Sequence, residues 1–279
     1  MFELMVIPFV LCAVLSGIYA YLGIHIIERQ VIFVDLALAQ IAALGAMIGI
    51  LLGVGLHTAP AYLFSFAFAL AGAAIFALTR LKGKSVPQEA VIGIVYVVTT
   101  SASIIVLSRS PSEMEHIKHM LVGNILFAGW QDVIRLAIIC GVIGLFHVAF
   151  RKPFLTISIE PDLAERQGLS ITWWDFLFYV SLGVVVTSSV EVAGVLLIFS
   201  YLVVPAACAM LLSSRLRTQL LLGWGVSIIA SLAGLFFSAA FDLPTGAAIV
   251  CTFGIVFLVA MIASVFRLRS TGRREQISP

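Results

Sequence analysis

Residues 191–212 read EVAGVLLIFSYLVVPAACAMLL. Glu191, at the start, is the only charged side chain in the run. A helix needs about 20 apolar residues to cross the hydrocarbon core of a bilayer. The run shows no alternation of polar and apolar residues, so it reads as a helix and not as a barrel strand. A second apolar run, 174–190, precedes it with almost no loop, and a hairpin or broken helix is expected there. Working outward in both directions, further apolar runs lie at about 4–24, 31–53, 60–80, 89–108, 133–150, 219–240 and 246–266. The fold class is therefore all-α: a polytopic transmembrane helical bundle of about 8–9 spans.

The composition agrees. Hydrophobic residues make up 62% of the 279 residues and charged residues 11%, against roughly a quarter charged in a soluble domain. Such a chain cannot coat a water-facing surface, and lipid removes that need. Most of the charge falls between the apolar runs. The first run lacks a basic cluster and a small-residue cleavage site, so it is expected to be a retained span. Cys12, Cys140, Cys208 and Cys251 all lie in apolar runs without CxxC spacing. They read as buried small hydrophobes.

Basic residues choose the orientation. Arg29, Arg80, Lys82, Lys84, Arg151, Lys152, Arg166, Arg215, Arg217, Arg267, Arg269, Arg273 and Arg274 fall on one side, and only Arg109, Lys118 and Arg135 on the other. The richer side is expected to face the cytoplasm, which places the C-terminus inside and the N-terminus outside. Residues 1–266 then form the transmembrane domain and 267–279 a basic cytoplasmic tail, expected to be a disordered anchor at the membrane surface. An outer interfacial segment, 110–132, is anchored by Trp130. On the inner side, the stretch Glu160-Pro161-Asp162-Leu163-Ala164-Glu165-Arg166-Gln167-Gly168 opens with a proline suited to a helix's first turn and closes with a glycine that can stop it. This predicts a short polar helix over 160–169. It is either a solvated connector or a docking element for a soluble motor.

Five stretches, in order, resemble the zinc/manganese/iron permease family of ABC importers, relatives of the vitamin B12 and siderophore permeases. They are Glu89 to Gly93 at the opening of a span, Leu121 to Trp130, Asp162 to Leu169, Val192-Ala193-Gly194 through Pro205, and Asp242-Leu243-Pro244-Thr245-Gly246. The resemblance implies a type II ABC importer permease that works as a homodimer or related pair. It also implies a cytoplasmic ATPase subunit that binds and hydrolyses ATP, an extracytoplasmic metal-binding protein, and a coupling helix carrying Glu160, Asp162, Ala164, Glu165 and Gly168. It further implies no permanently bound cofactor, the metal ion being cargo. Glu89, Gly93, Gly194, Pro205, Asp242, Pro244 and Gly246 are its structural positions. The chain has no G-x-x-x-x-G-K-[ST] loop of its own, and no feature of it points to nucleic acid.

The candidate metal path comprises Asp35, Gln40, Glu191, His116 and His119. Family members carry Asp-x-x-Ser-His-Ala on the second span, whereas here Gln40 takes the histidine position and Asp35 lies one residue early. Asp35 reads either as a path carboxylate or as a helix-start carboxylate favoured by the helix dipole. Gln40 reads as a cargo contact or an interhelical hydrogen bond. His116 and His119 share a helix face and read as a metal-acceptance site or as a polar face meeting water or the external binding protein. His25, His57 and His147 read as structural, and Gly45 and Gly49 as a close-packing pair. The function expected is ATP-driven import of a divalent transition ion (zinc, manganese or iron) across the inner or plasma membrane by alternating access. The alternatives are a permease for a metal chelate or other small cargo, and a gradient-driven secondary transporter. An intramembrane enzyme lacks support, because no H-E-x-x-H or placed Ser/His pair is present.

Overall fold

A computed structural model describes residues 2–54, 58–80, 86–107 and 125–275. Among the described residues eleven α-helices follow one another: α1 (Phe2–Glu28), α2 (Val34–Leu51), α3 (Ala59–Thr79), α4 (Gln88–Leu107), α5 (Trp130–Ala149), α6 (Arg151–Ile159), α7 (Pro161–Arg166), α8 (Ile171–Ala193), α9 (Val195–Leu212), α10 (Leu216–Phe241) and α11 (Thr245–Glu275). Among the described residues, nine of them are long and apolar enough to cross a membrane. These nine match the nine apolar runs one for one.

Two groups of helices make up the bundle. In one, α1 packs on α9 and α10, and α9 and α10 pack on α11; in the other, α2 packs on α3 and α4, and α3 runs along α8. Helix α5 bridges α1 and α8. Buried Leu11, Leu15, Tyr19, Leu22 and Ile26 of α1 recur at three- and four-residue steps and fill the centre. Small residues set the closest approaches. A Cβ at Gly23 would lie 1.9 Å from the Leu202 carbonyl oxygen on α9, and one at Gly45 would lie 2.7 Å from both Phe64 O and Phe68 Cβ on α3. Close packing thus accounts for Gly45 and Gly49.

Buried hydroxyls bond within their own helices. Ser16 donates to Cys12 O, Thr187 to Gly183 O, Ser200 to Leu196 O and Thr252 to Ala248 O. That lets these four hydroxyls sit in the spans with their donors paired.

Several expectations need correcting. The run at 174–190 is part of a full-length span, α8, and the break falls at Gly194, whose φ of 83° and ψ of 155° suit glycine alone. Trp130 begins α5 itself; of the expected outer segment 110–132, only a 3₁₀ turn at Ile125–Phe127 and the first turn of α5 are described. Two short helices, not one, lie between α5 and α8. The turn after α10 centres on Asp242, in the left-handed region at φ 52°, while Gly246 already belongs to α11. Ser238 ties this turn by donating to Leu243 O and meeting Thr245 Oγ1 at 2.9 Å. Cys251 is exposed, unlike the other three cysteines. Helix α11 runs on to Glu275, so the first residues of the basic tail continue the last helix. His116, His119 and His57 lie outside the described residues.

Candidate functional site: coupling helices and the charged clamps

The two short helices form the one polar insertion among the described residues. Helix α6 begins with Arg151, Lys152 and Pro153, and a proline is tolerated in the first turn because its missing N–H has no helical partner there. Phe154, Ile157 and Ser158 turn inward and are buried. The chain bends at Glu160, whose N–H still bonds to Thr156 O at 2.8 Å. Helix α7 then runs from Pro161 to Arg166. Gly168, at φ 72°, ends it, with its N–H on Glu165 O (2.9 Å) and the Leu169 N–H on Ala164 O (3.0 Å). Ala164 is fully buried, whereas Glu160, Asp162, Leu163, Glu165 and Gly168 are exposed. Ala164 therefore anchors α7, and the outward face combines acidic residues with exposed Ile159 and Leu163. Those two apolar side chains lie outside the nine candidate spans.

Beneath α6 lies a buried ionic cluster. Asp175, on the first turns of α8, is fully buried and meets two arginines. Arg29, in the α1–α2 turn, pairs with its Oδ1. Arg80, at the end of α3, reaches both carboxylate oxygens, at 2.7 and 2.8 Å. The same arginines hold α6: Arg29 Nε donates to Ser158 Oγ (2.8 Å), and Arg80 Nη2 to Ile157 O (3.4 Å). Ser158 Oγ also meets His25 Nδ1 at 2.7 Å. The Arg29 guanidinium stacks 4.1 Å from the Phe178 ring centroid. Burial pulls the Arg29 pKa down from its ordinary value, and the Asp175 carboxylate opposes that. One carboxylate serves two cations here, so its removal would leave both without an ion partner.

At the opposite end of the bundle, Glu191 accepts from Tyr62 of α3 (3.1 Å) and Arg135 of α5 (3.0 Å). Glu191 is thus a clasp among three helices. Asp35, on the first turn of α2, is 1% exposed, and its Oδ1 has no hydrogen-bond partner among the described residues. Gln40 is half-buried. It leaves α2 about 140° from Asp35 at 100° per residue, so the two do not share a face. Glu89 Oε1 accepts the Phe33 N–H at 3.1 Å, which links the starts of α4 and α2. A hollow of about 460 Å³ beside it is lined by Phe33, Gln88 and Glu89, among others. The space beside Gly93 is open. Pro205 lies within α9 without ending it. His147 Nε2 meets Ser181 Oγ at 2.8 Å, a structural bond between α5 and α8.

Arg29 and Arg80 lie at one end and Arg135 at the other, as the loop charges sort them. Arg29, Arg80, Ser158 and Asp175 meet at the arginine-rich end; Tyr62, Arg135 and Glu191 meet at the other. Sequence reading missed Asp175, Ser158, Ile159 and Leu163 as functional candidates.

Residues 1–264 match the ABC 3 transport family. The chain belongs to that family. As an ABC 3 member it is a multi-pass membrane protein, and its fold is that of the type II permeases. It is 28% identical over 253 residues to the manganese transport system membrane protein MntC of Listeria monocytogenes, covering 89% of this chain and 85% of that protein. It is 26% identical over 269 residues to a protein of Haemophilus influenzae named "Probable iron transport system membrane protein", covering 94% and 91%. Among solved structures, PsaBC from Streptococcus pneumoniae in complex with Fab superposes with a TM-score of 0.76 at 25% identity, covering 93% of this chain and 91% of that one.

Proposed function

We propose that this ABC 3 protein is the permease subunit of an ATP-driven importer that carries a divalent transition metal, manganese or iron, into the cytoplasm. The observation that carries this reading is the insertion between α5 and α8. A tight loop would join the two spans more simply. The chain instead builds two short helices, fixes them to the bundle through Phe154, Ser158 and Ala164, and leaves Ile159 and Leu163 exposed beside acidic residues. That is a handle with a grip on one side and an anchorage on the other. The excess of arginine and lysine at this end supports a cytoplasmic position, with the C-terminus on the same side. A separate ATPase subunit grips the handle and supplies the energy.

The metal reading rests on the relatives, which are named for manganese and iron transport. The path runs along a half-exposed stripe on α2 (Leu36, Gln40, Met47) and another on α9 (Phe199, Val203, Ala207). Phe33 stacks on Phe199 where the two helices adjoin, with ring centroids 6.0 Å apart. A second copy of the chain closes the path along these stripes. An external metal-binding protein delivers the ion at the Glu191 end. Asp35, buried and about 140° from Gln40 around α2, lies off this stripe.

Leu163→Glu tests the docking face. The expected result is a permease that inserts and folds but no longer co-purifies with its ATPase. Undiminished co-purification would remove the docking claim.

A further inference from the structure

We propose that α3 and α8 move as one rigid antiparallel pair, which carries the motion of the coupling helices from one membrane face to the other. This rests on the ATPase-driven reading above. The pair is pinned at both ends by charge. At the arginine-rich end Arg80 of α3 meets Asp175 of α8 at 2.7 Å; at the other, Tyr62 of α3 donates to Glu191 of α8 at 3.1 Å. Between them, Phe76 packs edge-on to Tyr179 with centroids 6.0 Å apart, and a Cβ on Gly183 would lie 3.9 Å from that of Ala69. The four contacts 62–191, 69–183, 76–179 and 80–175 keep one antiparallel register along the whole pair. The pinned lengths also match. Eighteen residues of α3 span about 27 Å and sixteen of α8 about 24 Å, at ~1.5 Å per residue.

Each pin reaches further elements. Arg80 also bonds to Ile157 O on α6, and Asp175 holds Arg29, which bonds to Ser158. A displacement of α6 therefore acts on the lower end of both helices at once. At the far end Glu191 engages Arg135, and three residues on Gly194 turns the chain into α9. Sliding α3 along α8 would break charged contacts at both faces, whereas moving the pair together breaks neither. Asp175 and Arg80 are positioning residues: they fix how the handle is joined to the spans.

The test is a cross-link along the pair. Ala69→Cys with Gly183→Cys places the two Cβ atoms within the 3.5–4.5 Å that a disulfide needs. The complex with its ATPase and binding protein is reconstituted in proteoliposomes, and manganese uptake is measured before and after oxidation. The wild-type chain, treated identically, controls for the native cysteines. Uptake within twofold of the reduced form is expected. A tenfold loss that dithiothreitol reverses would show that the helices must slide, and would overturn the proposal. If the double variant does not fold, Arg80→Gln serves instead. Manganese moved per ATP hydrolysed should fall at least tenfold and recover in Arg80→Lys; an unchanged ratio in Arg80→Gln would overturn the proposal. Absence of ATP-dependent uptake by the wild-type complex would sink the importer reading itself, a separate outcome.

Discussion

Asp175→Asn removes the one carboxylate shared by two arginines, and its cost can be worked from the burial of each partner. Asp175 and Arg29 side chains are both wholly inaccessible, and Arg80 is 19% accessible. Breaking a buried pair from one side costs about 3–5 kcal/mol, because the remaining charge stays out of water without a partner. Arg29 would keep Ser158 and the Phe178 face, which are neutral, so its charge stays uncompensated and the full range applies. Arg80 can reach water and adds little. A chain of this size loses about 2–4 °C of melting temperature per kcal/mol. Asp175→Asn should therefore melt about 6–20 °C below wild type in detergent micelles. Arg80→Gln is the comparison, because it leaves a one-to-one Arg29–Asp175 pair and should cost about 1 kcal/mol, as for one hydrogen-bonded group. If Asp175→Asn melts within about 2 °C of wild type, or no lower than Arg80→Gln, the cluster is not the charge lock argued above.

Gly23→Ala should destabilise the protein by about 1–3 kcal/mol or more, because its Cβ would meet the Leu202 carbonyl at 1.9 Å and force α1 from α9; a melting curve in detergent reads this directly. Gly194→Ala should cost about 1–3 kcal/mol from backbone strain at φ 83° and reduce uptake, whereas Gly93→Ala, which enters open space, should be near neutral in both assays. Gly168→Ala, at φ 72°, should loosen the end of α7 by about 1 kcal/mol, seen as faster amide exchange at Gly168 and Leu169 with the spans unaffected.

The spans were legible because each is a long apolar run between loops, a pattern that local composition carries. The sorting of loops by charge was legible for the same reason: Arg29, Arg80 and Arg151 each announce a face. What those charges do was not legible. Arg29 and Arg80 read only as loop charges, and Asp175, in TWWDFLF, reads as an ordinary acid near a span's start. Their meeting joins positions 95 and 146 residues apart, which no local pattern encodes. A signal did exist: two arginines and one acid fall near the same predicted face beside apolar runs, where an unpaired charge is expensive. Helix α6 was not legible because its nine residues follow directly on a span, although Phe154 and Ile157 stand at helical spacing. The chain break was placed near Glu191 by hydropathy, which does not register the backbone demand that fixes it at Gly194.

Manganese uptake into proteoliposomes holding this permease, its ATPase partner and the external binding protein tests the central claim most directly. The account predicts uptake that requires hydrolysable ATP on the side bearing α6 and α7, persists when ion gradients are collapsed, and disappears in Leu163→Glu. Uptake that continues without nucleotide and follows an imposed proton or sodium gradient would contradict it.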